Sequence, residues 1–162
     1  MSVIIDRMII RDILTPARTL CGVRAGVSKK KVLEIISGLI SEERPSIKAK
    51  YLLTSLISRE RLGTTGIGEG VALPRCRSKA CTSPIGLFLR LMKPIDFESI
   101  DQKPVDLIFA LIVPEDNTGK HVEILRVLAN LFKSGYLLNK MREADSPAEL
   151  YDCITSSDEC LL

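Results

Sequence analysis

Four segments of the chain carry apolar residues at the spacing of an amphipathic helix. The clearest segment follows Ser28, which is a suitable N-cap residue. Its apolar positions are Val32, Leu33, Ile35, Ile36, Leu39 and Ile40. Their recurrence at i, i+3, i+4 and i+7 predicts a helix over about 29–42. The same pattern predicts helices over about 46–60 and 119–133, and a shorter helix over about 136–143.

The sequence SPAELYDCI begins a further predicted helix. Ser146 is its expected N-cap, and Pro147 stands at the first helical position, where proline needs no hydrogen-bond partner. Glu149 lies three residues after the cap, which completes a capping box. The polar tail from Ser156 is expected to fray.

Two longer apolar runs predict β-strands. SPIGLFLRLM predicts a strand over about 85–92, and PVDLIFALIVP predicts one over about 105–113. Shorter strands are predicted at 18–23 and near 71–73. The run at 105–113 is apolar on both faces, so it needs cover on both. The prediction is therefore an α/β fold, a three-layer α/β/α sandwich on a small mixed sheet.

Length and composition limit the function classes. The 162 residues predict a single domain, with a core over about 9–155. A net charge of +3 with only 4% aromatic residues argues against nucleic-acid binding. No apolar run is long enough to predict a membrane helix. The five cysteines are scattered, and charged residues interrupt the N-terminal apolar run, so we expect a cytoplasmic protein with reduced thiols.

The glycine-rich stretch GTTGIGEGVALPRCRS occupies residues 63–78. Its spacing is G-x-G-x-G, which matches neither the dinucleotide fingerprint nor a phosphate-binding P-loop. Gly66, Gly68 and Gly70 therefore predict either a tight turn with positive φ angles or a nest of backbone N–H groups that binds an anion.

His121 is the one histidine of the chain and stands where a helix begins. It is either a surface or capping residue, or a group that handles a proton or a phosphate at the helix N-terminus. One histidine and cysteines without C-x-x-C spacing do not predict a metal site. Arg59, near the end of a predicted helix, is either a cation at the helix C-terminus or a phosphate clamp.

Cys76 lies between Arg75 and Arg77. The two cations are expected to lower the pKa of its thiol, which would make it reactive, although an idle cysteine is the alternative. Ser28 and Lys31 match the S-x-x-K motif of some acylating enzymes, but helix capping explains that pair.

Three segments together resemble a known family, the nitrogen-regulatory IIA proteins of the bacterial phosphotransferase system, in the mannitol/fructose-type IIA branch. They are LISRERLGTTGIGEGVALPRCRS, LMKPIDFESIDQKPVDLIFALIVPEDNTGKHVEILRVLANLF and SPAELYDCIT. The resemblance covers about residues 9–155 and implies a mixed sheet flanked by helices. It also implies a phosphorelay role, in which one histidine accepts a phosphoryl group from an HPr-like phosphocarrier.

The resemblance also implies roles for individual residues. The family's phosphoacceptor histidine directly follows the proline of the glycine-rich segment, and here that position is Arg75. His121 matches the family's second active-site histidine, and Arg59 matches its active-site arginine. Gly66, Gly68 and Gly70 match the backbone that shapes the site.

The expected function is regulation through protein contacts without phosphoryl acceptance, because a guanidinium has no lone pair for attack on phosphorus. The resemblance implies potassium transport components or sensor kinases as regulated partners, and no cofactor. Two alternatives stay open. One is a phosphotransferase that uses His121 or Cys76 as the acceptor. The other is a small-anion sensor in which Arg59, Arg75, Arg77 and His121 bind the ligand.

Overall fold

The structure is a computed structural model, which describes residues 3–26, 28–116 and 119–156. The helices of this part of the chain are α1 (Val3–Ile13), α2 (Lys29–Glu43), α3 (Ala49–Leu62), α4 (Lys120–Leu131), α5 (Gly135–Glu143) and α6 (Pro147–Thr155). The strands are β1 (Thr19–Val23), β2 (Gly66–Gly68), β3 (Val71–Ala72), β4 (Arg75–Ser78), β5 (Ile85–Ile95) and β6 (Val105–Pro114).

The strands form one mixed sheet in the order β1-β5-β6-β3-β2, with β4 also paired to β6. The long strands β5 and β6 are antiparallel, whereas β1 is parallel to β5. Both β3 and β4 run parallel to β6, along successive parts of the same side of that strand. The predicted mixed sheet is confirmed.

Alternate residues of β6 enter two separate apolar cores. Phe109 and Leu111 join the cluster formed with α1, α4, α5 and α6, whereas Ile108 and Ile112 join the cluster formed with α2 and α3. Because successive side chains of a strand point to opposite faces, one apolar strand supplies both cores. The predicted three-layer α/β/α sandwich is therefore confirmed.

Three local predictions needed correction. No element is predicted before residue 18, but α1 is helical there. Its exposed residues include the apolar Ile4, Ile5 and Met8 beside Arg11 and Asp12, so its solvent side is not uniformly polar. The sequence RCRS predicts no strand, because β4 depends on its pairing with β6. Helix α3 begins at Ala49 rather than at 46, because the Ile47 N–H donates to the Arg44 carbonyl in a turn.

The predicted helix caps are present. The Ser28 hydroxyl accepts from the Lys31 N–H at 3.1 Å, so capping accounts for the S-x-x-K motif. The Ser146 hydroxyl accepts from the Glu149 N–H at 3.1 Å. The Glu149 carboxylate in turn accepts from the Asp145 N–H, one residue before the cap. Two hydrogen bonds therefore hold the start of α6.

The tail that is predicted to fray lies beyond Ser156, outside the residues that the structure describes. None of the described helices combines the length and the apolarity that crossing a membrane requires.

We predict that Gly86→Ala destabilises the protein. A Cβ atom at Gly86 would lie 2.8 Å from Cζ of Phe109 and 3.3 Å from the Ile13 carbonyl oxygen. Overpacking of this kind lowers the free energy of unfolding by about 1–3 kcal/mol, which equilibrium urea denaturation measures.

Gly38→Ala is the matched control, because Gly38 lies inside α2 with no atom within 4 Å of an added Cβ. Replacing an interior helical glycine by alanine is expected to raise the free energy of unfolding by up to about 1 kcal/mol. If Gly86→Ala were as stable as the natural protein, the close approach of Gly86 to the Phe109 ring would be contradicted.

Candidate functional site

Strand β4 places two arginines on one face of the sheet edge. Arg75 stands opposite Leu111 and Arg77 opposite Val113 in the parallel pairing with β6. Side chains of paired residues point to the same face, so both arginines project on the side of Leu111 and Val113. Cys76, between them, projects to the other face and packs against the apolar cluster below α2 and α3.

A cavity of about 620 Å³ opens beside this edge, between α3, β4, the end of β6 and the start of α4. Its lining residues are Thr54, Ser55, Ser58, Arg59, Leu62, Arg75, Cys76, Arg77, Leu111, Val113, His121 and Leu125. The structure thus brings together Arg59, Arg75, Arg77 and His121, as the sequence analysis expects. None of the lining residues is acidic, so the cavity is cationic.

Arg75 is half-buried in this cavity, and its Nη1 donates to the Leu73 carbonyl at 3.1 Å. Burial lowers the pKa of the Arg75 guanidinium below its ordinary value, and repulsion from Arg59 lowers it further, against the opposing effect of Glu60. Since the ordinary pKa of a guanidinium lies far above neutrality, Arg75 stays protonated.

Arg59 takes the helix C-terminal role considered for it and also lines the cavity. It lies in the last turn of α3, and its Nη1 donates to the Gly63 carbonyl at 2.8 Å, just beyond the end of the helix. Cations at this position satisfy terminal carbonyls and interact favourably with the helix dipole. The same side chain lines the cavity close enough to Arg75 to affect its pKa.

Glu60 is a structural residue near the site that the sequence analysis did not single out. Its side chain is only 6% exposed and accepts from both the N–H and the hydroxyl of Thr65, at 2.8 Å and 2.6 Å. It also accepts from Lys29 at 3.1 Å. Because Glu60 already has these partners, its charge only partly offsets that of Arg75.

The glycines lie away from the cavity lining. Glu69 and Gly70 form the turn between β2 and β3, and Gly68 and Gly70 have the positive φ angles expected of a tight turn. At the apex, the Glu69 N–H donates to the Asp101 carboxylate at 3.0 Å. A carboxylate on that amide disfavours an anion there, so the structure supports the turn rather than the predicted anion nest.

His121 is the second residue of α4, and its half-buried side chain lines the cavity. His121 and Arg75 therefore line the same cavity, although the two residues are far apart in sequence. This is the arrangement that both the phosphate-handling interpretation and the resemblance predict for His121. Among the described residues, no three His, Cys, Asp or Glu side chains lie close enough together to bind a metal ion.

Comparisons with known proteins identify the family. The sequence profile described as "Phosphoenolpyruvate-dependent sugar phosphotransferase system, EIIA 2" matches residues 18–157. The chain belongs to this family. A nitrogen regulatory protein from Pseudomonas aeruginosa is 42% identical over 145 residues, which are 90% of this chain and 94% of that protein. The identity over almost the full length of both chains places this one in the nitrogen-regulatory branch.

Solved structures agree with this assignment. The crystal structure of nitrogen regulatory protein IIA-Ntr from Neisseria meningitidis has a TM-score of 0.85 at 34% identity, covering 90% of this chain and 99% of that chain. Mannitol enzyme IIA of Escherichia coli, solved in complex with phosphorylated enzyme IIB, has a TM-score of 0.71 at 14% identity, with 87% of this chain and 96% of that chain covered. This second likeness shows the fold.

The expectation that Arg75 and Arg77 lower the pKa of the Cys76 thiol in this IIA protein is wrong, which favours the alternative of an idle cysteine. Burial, together with a smaller effect of the neighbouring Cys81 thiol, raises the pKa of the Cys76 thiol to about 12. The adjacent arginines do not lower it, because alternation along β4 sends their side chains to the opposite face. Adjacency in sequence was therefore a misleading signal for the environment of this thiol.

We predict that Cys76 resists alkylation in the folded protein. At about pH 8, a pKa near 12 leaves roughly a thousandfold less thiolate than an ordinary cysteine has, and the thiolate is the reactive form. Iodoacetamide labelling followed by peptide mapping measures the rate at Cys76, and labelling in denaturant supplies the reference rate. Equal rates in the folded and denatured protein would contradict the burial of this thiol.

Proposed function

We propose that this chain is a nitrogen-regulatory IIA protein that works through contacts with other proteins and accepts no phosphoryl group at its family site. The observation that carries the proposal is the position of Arg75. Its side chain enters the cationic cavity that also contains Arg59 and His121, at the place where the family resemblance puts the acceptor histidine.

The chemistry of the side chain supports loss of phosphoryl acceptance. An acceptor imidazole attacks phosphorus with the lone pair of a neutral ring nitrogen. A guanidinium has five N–H donors and no acceptor atom, and it stays protonated at neutral pH. Arg75 can therefore hold an anion by hydrogen bonds, but it cannot form a covalent bond to the phosphorus atom.

The charge of Arg75 also indicates which form of the protein is present. A phosphohistidine would bring negative charge into the cavity, whereas Arg75 brings positive charge. The chain therefore remains in a state that resembles the unphosphorylated form, whatever the activity of the phosphorelay. A partner that recognises the unphosphorylated form would bind this chain permanently.

The proposed partners follow from the family. IIA proteins bind other phosphotransferase proteins, as the mannitol enzyme IIA of E. coli does in its complex with phosphorylated IIB. We propose that an HPr-like phosphocarrier docks here without transfer, and that the regulated targets are potassium transport components or sensor kinases. The setting proposed for these contacts is the cytoplasm.

The phosphoryl-transfer assay tests the proposal directly. The protein is mixed with phosphoenolpyruvate, the first enzyme of the phosphorelay and an HPr-like carrier, and its intact mass is measured. We expect no mass gain in the natural protein and a gain of one phosphoryl group in Arg75→His, because an imidazole would then face His121 across the cavity.

Arg77→His is the matched control for this assay. It places an imidazole on the same face of β4, two residues further along the strand, and is expected to gain no phosphoryl group. A phosphoryl group on the natural protein would contradict the proposal. Its acid lability would then identify His121, whose N–P bond is acid-labile, and a thiophosphate would identify Cys76.

A further inference from the structure

Among the described residues, the positive charge of the cavity is only partly offset: Glu60 lies near enough to act on Arg75 but does not line the cavity. Among the described residues, no carboxylate lies within ion-pair distance of Arg59, Arg75 or Arg77, and none lines the cavity. Two partly or fully buried arginines elsewhere do have carboxylate partners: Arg142 binds Asp106 at 2.9 Å, and Arg18 binds Glu43. The cavity therefore brings three arginines without an ion pair together in one space.

Hydrogen-bond donors remain available at this site. Arg75 uses Nη1 for the Leu73 carbonyl, and no described residue accepts a hydrogen bond from its Nε or Nη2. The hydroxyls of Ser55 and Ser58 line the same space from α3. The Pro74 carbonyl accepts from Leu111 of β6, so alternation turns the Arg75 and Arg77 amides toward the open edge of the sheet.

The cavity is also larger and more apolar than an inorganic anion requires. Its volume of about 620 Å³ lies within the range of about 300–1,000 Å³ that is typical of sites for small organic molecules. Leu111, Val113 and Leu125 form apolar parts of its wall, and Leu62 stands at its rim with 85% of its surface exposed. Because Leu111 and Val113 are already almost fully buried, an occupant with an organic body would mainly cover Leu62 and Leu125.

We propose that this cavity binds a small phosphomonoester without reacting with it. A phosphate ester near neutral pH carries about 1.5–2 negative charges and three acceptor oxygens, which suits a cluster of guanidinium groups better than a single carboxylate does. The phosphate lies among Arg59, Arg75 and Arg77, and the organic body contacts the leucines and Val113. No covalent bond forms or breaks.

The inference rests on the proposed function in one respect. Because Arg75 never carries a phosphoryl group, the cavity stays cationic, and the ligand competes with no covalent phosphate. A bound dianion neutralises the charge that the cavity presents to a docking protein. The ligand thereby supplies the regulatory input that phosphorylation supplies in a protein with an acceptor histidine.

Isothermal titration calorimetry with phenyl phosphate as the probe tests the inference. Inorganic phosphate and phenol, titrated separately, represent the anion and the organic body. We expect phenyl phosphate to bind at least roughly tenfold more tightly than inorganic phosphate, because its ring covers apolar side chains. Phenol alone is expected not to bind measurably. Inorganic phosphate that binds as tightly as phenyl phosphate would overturn the inference.

Variants locate the binding site. Arg75→Gln and Arg77→Gln are each expected to weaken phenyl phosphate binding by at least roughly tenfold, the usual effect of losing a charged hydrogen bond. Two separate variants keep the test valid if one does not fold. Arg61→Gln is the control, because Arg61 is exposed on α3 outside the cavity lining, and its affinity is expected to be unchanged. If all three variants bound phenyl phosphate as tightly as the natural protein, the proposed position of the binding site would be overturned.

The two proposals can fail separately, because calorimetry uses no relay protein. A natural protein that binds phenyl phosphate but gains a phosphoryl group in the relay would contradict the proposed function and leave the binding site supported. A natural protein that gains no phosphoryl group and does not bind phenyl phosphate would contradict the phosphomonoester site alone.

Discussion

The parallel pairing of β4 with β6 is the interaction on which the site depends. It fixes Arg75 opposite Leu111 and Arg77 opposite Val113, and strand alternation then directs both guanidinium groups to one face and the Cys76 thiol to the other. The same pairing leaves the far side of β4 without a neighbouring strand in the sheet. Helices α3 and α4 flank that open edge and enclose the cavity.

Electrostatics decides what this cavity can do. Burial and the repulsion from Arg59 both disfavour the charged form of Arg75, and Glu60 offsets them only in part. Since guanidinium stays charged at neutral pH, the unfavourable interaction persists in the free protein and is relieved by an anion. Under the proposed function, a cavity of this charge holds an anion at Arg75 without reacting with it.

The long apolar strands and the capped helices could be predicted from sequence, because local spacing at Ser28, Ser146 and 105–113 specifies them. Helix α1 and strand β4 could not, because the first exposes apolar residues among its polar ones and the second depends on pairing with a distant strand. The family resemblance directed attention to Arg59, Arg75 and His121. The environment of Cys76 required the structure, because sequence adjacency does not say which face a side chain occupies. The choice between a turn and an anion nest at Gly68 required it too, since the Asp101 carboxylate that decides it is distant in sequence.

The stability of Arg75→Gln as a function of ionic strength tests the central claim most directly. Glutamine keeps a donor for the Leu73 carbonyl and removes the charge. In buffer without phosphate or sulfate, urea denaturation should show a higher free energy of unfolding for Arg75→Gln than for the natural protein at low salt. This difference should shrink as salt screens the repulsion from Arg59. A variant that is less stable than the natural protein at every salt concentration would show that Arg75 is already compensated, and would contradict the account.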